Sequence, residues 1–251
     1  MLTVIILTLN EEILLPHCLE SLSWAEDKLV FDSGSTDRTC TIAVEYGARV
    51  VQRTFDNYAA QRNAALYETD SEWVLFIDAD ERVSAELVNE IHVAIKDKHK
   101  AGWMIPRHNY IFGKLVLNAG WYPDYQLRLF KREFGSYHSD RHVHELLDLK
   151  GSIGSLLYPI IHQNYVDVSE FISKQLRYAK YEAYMLHNQG IVPHAHNYLL
   201  QPIRQFFWRY ITLSGWRSGY HGLLLSVLMA YSQYMLYREL SRLRNSDIEF
   251  S

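Results

Sequence analysis

The first hundred residues alternate short apolar runs with segments whose apolar residues recur at helical spacing. Residues 2–7, 28–32, 48–52 and 73–77 read as four strands. Residues 11–22 read as a helix with Asn10 as its N-cap, and residues 37–46 as a second that Gly47 stops. Asn57 caps a third reaching about residue 69, and Ser84 a fourth reaching about residue 96. This rhythm predicts an α/β fold, with a mostly parallel sheet covered by helices on both faces. In such sheets ligands bind beyond the carboxyl ends of the strands.

From residue 101 to 162 the rhythm changes. Strand-like pieces at 102–106, 110–112 and 126–131 are broken by Gly, Pro and Asn, which predicts an antiparallel extension with long loops. From residue 169 onward the pattern is mostly helical. The expected division is a first domain over 1–165, in halves over about 1–100 and about 101–165. A helical C-terminal region over 166–251 completes it.

Composition narrows the classes. Hydrophobic residues make up 48% and charged residues 22%, a globular balance. The formal net charge of −4 argues against a nucleic-acid binder. The two cysteines, Cys18 and Cys40, both fall in helical segments, so neither a disulfide framework nor a zinc site is expected and a reducing compartment fits. The N-terminal run lacks the basic flank and cleavage site of a secretory signal. No apolar segment approaches the roughly 20 residues that span a bilayer. In 198–244, arginines alternate with Phe, Trp and Tyr beside an apolar stretch, which suits the interface of an anionic membrane; packing on the first domain is the alternative.

Three strand ends carry polar groups. The fourth strand runs into Asp78, Ala79, Asp80 and Glu81. Residues two apart in an extended segment share a side, so Asp78 and Asp80 can offer two carboxylates to one hard divalent cation that also holds phosphate oxygens. The plainer alternative is that Asp80 or Ser84 only caps the next helix. Asp32 ends the second strand before Ser33 and Gly34, where it can accept hydrogen bonds from a base or a ribose; Asp37 can cap the helix that follows. No Gly-rich GxGxxG loop is present, which excludes a dinucleotide fingerprint. Arg62, in "AAQRNAA", can reach a phosphate or a base, or pair with a nearby acid. "DRHVHE" holds His142, His144 and Glu145, and His162 ends an apolar run as a satisfied core group or as a third ligand beside Asp78 and Asp80. Glu145 is the candidate general base, with Asp124 its rival.

Taken in order, "TLNEE" (8–12), "DSGSTDRT" (32–39), "QRNAA" (61–65), "WVLFIDADERVS" (73–84), "RLF" (128–130) and "VHE" (143–145) resemble a family 2 glycosyltransferase of the GT-A fold. The branch is that of the lipopolysaccharide-core β-1,4-glucosyltransferases, and the likeness covers nearly the whole chain. The resemblance implies an inverting transfer of glucose or a similar hexose from a UDP-sugar, with Mg2+ or Mn2+, onto a glycan or lipid-linked acceptor. It implies nucleotide-sugar contacts from Thr8, Asn10, Glu11, Asp32, Arg62, Asp78, Ala79 and Gly120, the last in a flexible glycine loop near the donor sugar. It implies metal ligation by Asp80, Asp78 and His162, and a base at Glu145, where His144–Glu145 replaces the usual pair of acids. A cytoplasmic protein, peripheral on the inner face of a bacterial inner membrane, follows. The rival readings are a nucleotidyltransferase, whose Gly-rich basic loop is missing after the first strand, and a non-catalytic sugar-nucleotide scaffold.

Overall fold

The computed structural model describes residues 1–137 and 147–249, the last four by their backbone alone. Four parallel strands open the chain: β1 (Leu2–Thr8), β2 (Asp27–Asp32), β3 (Arg49–Gln52) and β4 (Trp73–Asp78), in the order β3-β2-β1-β4. Helices α1 (Leu15–Ser21), α2 (Thr39–Glu45) and α3 (Tyr58–Tyr67) connect them. The short strand β5 (Glu81–Val83) precedes α4 (Ala85–Ala94). Next come β6 (Gly102–Ile111), β7 (Lys114–Leu115), β8 (Tyr125–Lys131), β9 (Gly135–Tyr137), β10 (Leu147–Leu149), β11 (Ile153–Ser155) and β12 (Ile160–Tyr165). Helices α5 (Val168–Asn188), α6 (Asn197–Phe207) and α7 (Gly219–Glu249) complete it.

Side-chain alternation explains why both faces of the sheet are covered. Val4 and Ile6 of β1, with Trp73, Leu75 and Ile77 of β4, face the core that α1, α2 and α4 close. Ile5, Val74 and Phe76 face the opposite core, which α3 closes through Ala59, Ala65 and Leu66. A strand buried on both sides must be apolar at every position, and the unbroken runs in the sequence record that. Beyond β4 the direction reverses: β8 pairs antiparallel with β4 and with β6, as the antiparallel extension predicted.

Two expectations need correcting. The pieces at 102–106 and 110–112 are not separate; residues through Ile111 form one ten-residue strand, because the fixed φ of Pro106 is compatible with an extended chain. Asn10 caps no helix. Its φ is +57°, and α1 begins only at Leu15, where Pro16 sits in the first turn and needs no hydrogen-bond acceptor. Asn57 and Ser84 do cap their helices, accepting from the N–H groups of Ala60 and Leu87.

The chain forms two compact units: residues 1–108 with 124–162, and residues 109–123 with 163–251. The second has its own core. Phe171 of α5 meets Ile111, Val116, Tyr165 and Leu225, and farther along α5 Ala179 and Ala183 let α7 approach closely through Met235, Leu236 and Leu240. Gly120 lies in this unit with φ +79°, a region that favours glycine, and a β-carbon there would stand 2.8 Å from Leu213.

Candidate functional site

The loops after β1 and β2 are laced together. The backbone N–H of Asn10 donates to Ser35 Oγ at 2.8 Å, and that of Glu11 to Thr39 Oγ1 at 2.7 Å. In return, Asn10 Oδ1 accepts from the N–H of Thr36 and Glu12 Oε2 from that of Arg38. Asp37 accepts from the N–H of Thr39 where α2 begins, and from that of Glu12. The left-handed turn at Asn10 is what carries its amide side chain across to the second loop.

Asp32 is the buried knot beneath them. It is 0% exposed. Thr8 and Ser35 hydroxyls donate to Oδ1, while the N–H groups of Gly34 and Ser35 and the Gln52 amide donate to Oδ2. Burial alone would raise its carboxyl, but the donors from Ser35, Gln52 and Thr8 outweigh this and hold it below the usual carboxylate range. The sequence left Asp32 without a structural task; these five bonds give it one. Above lies a cleft of about 180 Å³, lined by Thr8, Glu11, Ser33, Phe55, Tyr58 and Gln61. Gln61 reaches from α3 to donate to Ser33 Oγ at 3.1 Å.

The second cluster is ionic. Arg62 lies across Phe76 and Tyr137, with its guanidinium carbon 5.1 and 5.5 Å from their ring centres, and reaches to 3.8 Å from Asp78 Oδ1. Its neighbour Asn63 fixes Tyr137 by exchanging two hydrogen bonds with that residue's backbone. Both oxygens of Asp78 accept from Arg128, which also donates to Glu81 at 3.0 Å. Glu81, wholly buried, accepts the N–H of Asp78 and stands 3.5 Å from Arg107, which holds Asp124 at 2.7 Å. Gln126 donates to the other oxygen of Asp124 at 2.7 Å. Burial would raise Asp78, yet Arg128 and Arg62 beside it hold its carboxyl well below the usual range. Burial pushes Glu81 up against the pull of Arg128.

The DxD segment is not extended. Ala79 and Asp80 form a turn between β4 and β5, so the premise that alternation aligns the two carboxylates does not hold. Asp78 turns to the arginines, while Asp80 stands 3.3 Å from His162 Nε2 on β12. Ala79 is buried and its carbonyl accepts from Arg82. Among the described residues, no three His, Cys, Asp or Glu side chains converge as a metal cluster. Glu145, with His142 and His144, lies outside the described residues. Gly120 belongs to the second unit.

Sequence reasoning missed Arg107 and gave no role to Arg128 or Glu81. One signal was present: "QLRLF" places an arginine inside an apolar strand, where only a buried acid would tolerate it. Replacing Arg128 by Met should cost about 3 kcal/mol of stability, at the low end for a broken buried pair because Asp78 is one-third open to solvent. The sign with pH follows. The depressed Asp78 carboxyl adds stability above its unfolded-state value of about 3.9, which is lost as pH falls through its lower folded value. Without Arg128 that contribution disappears at neutral pH, and protonation then relieves the stranded acids. Urea melts should therefore show the variant's deficit shrinking between about pH 7 and about pH 4. An equal deficit at both would show that Arg128 stabilises by packing alone.

Residues 3–142 match the family described as glycosyl transferase family 2. The chain is 30% identical over 232 residues to the lipopolysaccharide core biosynthesis glycosyltransferase LpsC of Rhizobium meliloti, covering 89% of this chain and 85% of that protein. An uncharacterized glycosyltransferase of Rickettsia bellii is 24% identical across 97% of this chain and 86% of its own length. Among solved structures, the Pyrobaculum calidifontis mannosyltransferase PcManGT, in complex with GDP-Man and Mn2+, superposes with a TM-score of 0.56 at 14% identity, over 97% of this chain and 86% of that one. S. aureus TarS 1–349 in complex with UDP gives 0.51 at 16% identity, over 95% and 91%. These two likenesses concern the fold, an α/β sheet region followed by helices. With the family match covering more than half the sequence and LpsC matching along most of its length, the chain belongs to glycosyl transferase family 2 and is a glycosyltransferase.

Proposed function

We propose that the chain is an inverting hexosyltransferase that takes a UDP-sugar and glycosylates a glycan or lipid-linked acceptor in lipopolysaccharide-core or related envelope polysaccharide synthesis. The observation that carries the donor half is the cleft at the carboxyl ends of β1 and β2. Two aromatic side chains, Phe55 and Tyr58, stand there opposite the polar groups of Thr8, Glu11 and Ser33, a lining suited to a nucleoside. Asp32 acts on the base from below, through the loop it organises, and Asn10 holds the companion loop in register. Arg62, on its aromatic shelf, serves the diphosphate together with Arg128; Asp78 keeps both guanidiniums in place. The similarity to LpsC supports an acceptor in the lipopolysaccharide core.

Among the described residues, Asp80 and His162 are the pair suited to a divalent cation. Asp80 and His162 offer an oxygen and a nitrogen at 3.3 Å from each other, and Mg2+ or Mn2+ binds readily through one or two protein groups when substrate phosphates complete its shell. Asp78, committed to Arg128 and Arg62, is the weaker donor. When bound, such a cation neutralises charge that gathers on the departing diphosphate. A base must take the proton of the acceptor hydroxyl as it attacks the face opposite the leaving group. Glu145 is assigned that role. Asp124 has both oxygens engaged by Arg107 and Gln126 and is the less available of the two. The reading sets the protein peripherally on the cytoplasmic face of a bacterial inner membrane; no helix among the described residues is long and apolar enough to cross one.

Three measurements test this. Calorimetry should give tighter binding of UDP than of UMP or GDP, and Asp32→Ala should weaken UDP at least about tenfold; unchanged UDP affinity in that variant would overturn the donor assignment. Asp80→Asn should lower turnover of the UDP-sugar by about a hundredfold or more, with the unfolding midpoint kept, and EDTA should abolish activity of the wild type. Full turnover in excess EDTA would remove the cation from the scheme. Finally, Glu145→Gln should keep donor binding and lose transfer, whereas Asp124→Asn should retain most of it. The reverse pattern would exchange the two roles.

A further inference from the structure

One apolar stripe of α7 faces inward, while Leu223, Val227, Tyr231 and Tyr234 of the same helix are between 36% and 49% exposed. Leu225, Leu228, Met235, Leu236 and Leu240 are buried in the cores of the helical unit. The more exposed apolar face belongs to α6 and the single π-helical turn, Trp208–Thr212, that continues it. Leu199, Leu200, Ile203, Phe207 and Ile211 recur at helical spacing and are all exposed; Leu199 is 64%, Phe207 56% and Ile211 54% open to solvent. The less exposed side of the same segment mixes Gln201, Gln205 and Arg209 with Tyr198, Phe206 and Tyr210. Gln201 buries its carbonyl oxygen there without a hydrogen-bond partner among the described residues, and Arg209 donates to the carbonyl of Ala119 at 2.6 Å. A helix facing only water would not turn five large apolar side chains outward.

Charge identifies what lies outside. Between Glu182 and Glu239 the chain has no Asp or Glu over 56 residues (183–238), although it carries 29 acids in all and a net charge of −4. Arg204 and Arg217 are exposed in this stretch, and so are Trp208 and Trp216. Apolar side chains flanked by arginine and tryptophan, with acids excluded, match the boundary between acyl chains and anionic headgroups. A second copy seated on the same face would bring arginines to arginines with no acid on either side to compensate.

We infer that the outward face of α6 and its π-turn is a membrane-docking surface, which enters the headgroup region of an anionic bilayer with the helix lying in the membrane plane. The inference rests on the reading of a lipid-linked acceptor and names the segment that carries the enzyme to it. Full-length protein should float with vesicles of phosphatidylcholine containing about a third phosphatidylglycerol, and do so less with phosphatidylcholine alone or at high salt. The double variant Leu199→Glu/Phe207→Glu should reduce the vesicle-bound fraction at least about tenfold. Its circular dichroism and UDP affinity should stay those of the wild type. Arg204→Glu should weaken binding to anionic vesicles alone. Flotation by the double variant equal to wild type would overturn the inference. So would a wild type that never floats; were it a dimer that the double variant turns into monomers, a second copy would be the occupant. Because UDP affinity is read separately, loss of flotation leaves the donor assignment standing, and loss of UDP binding leaves the docking surface standing.

Discussion

The arrangement of the site depends on one guanidinium. Arg128 enters from β8, a strand that runs against β4, and meets Asp78 and Glu81 where β4 has just ended. A charge buried this deeply persists only when countercharges and hydrogen bonds replace water. Here they do more than neutralise it. Asp78 is fixed toward Arg62, Glu81 is fixed toward Arg107, and Arg107 is fixed to Asp124. Three arginines and three acids thus share a single chain of contacts, and the turn carrying Ala79 and Asp80 is anchored at both ends by it. The antiparallel extension is the structural means of bringing an arginine to the carboxyl edge of a parallel sheet.

That dependence explains what was legible in the sequence. The parallel half reads directly from its pattern, because doubly buried strands must be apolar throughout and because Asn57 and Ser84 are local caps whose effect needs no distant partner. The polar strand ends read directly as well. The meeting of His162 with Asp80 was among the expectations, but the ionic network set by long-range pairing did not read. Arg128 and Asp78 are fifty residues apart, and the register of β8 against β4 decides that they meet. Alternation suggested that Asp78 and Asp80 share a side, but the chain turns at Ala79 and sends one acid to arginines and the other to His162. Asn10 resembled a cap in sequence, yet Pro16 starts the helix later and frees Asn10 for the neighbouring loop. In the tail, arginines interleaved with aromatics were visible as composition. Which helix turns its apolar side outward was not, since that depends on how α5 and α7 pack.

The family assignment and the local physics bear on different questions. Membership fixes the class of reaction, while the wiring of Asp32, Arg62 and Arg128 indicates how rigidly this chain holds the residues proposed to organise the donor site. Asp32 is saturated by Thr8, Gly34, Ser35 and Gln52, Arg62 lies across two touching rings, and Asp124 is spoken for by Arg107. Little reorganisation is left to these residues, which favours a donor half built before substrate arrives.

The lacing between the loops after β1 and β2 has a consequence for how this protein can be altered by recombination. Each loop supplies side chains that satisfy the other's backbone: Asn10 and Glu12 serve the N–H groups of Thr36 and Arg38, and Ser35, Thr39 and Asp37 serve those of residues 10, 11 and 12. Neither loop is an independent module. A chimera that inherits residues 9–12 from one parent and 33–39 from another breaks reciprocal bonds on both sides of the seam, while a crossover beyond residue 39 transfers the pair intact. The two segments therefore travel as one cassette, separated in sequence by a helix and a strand that need not change with them.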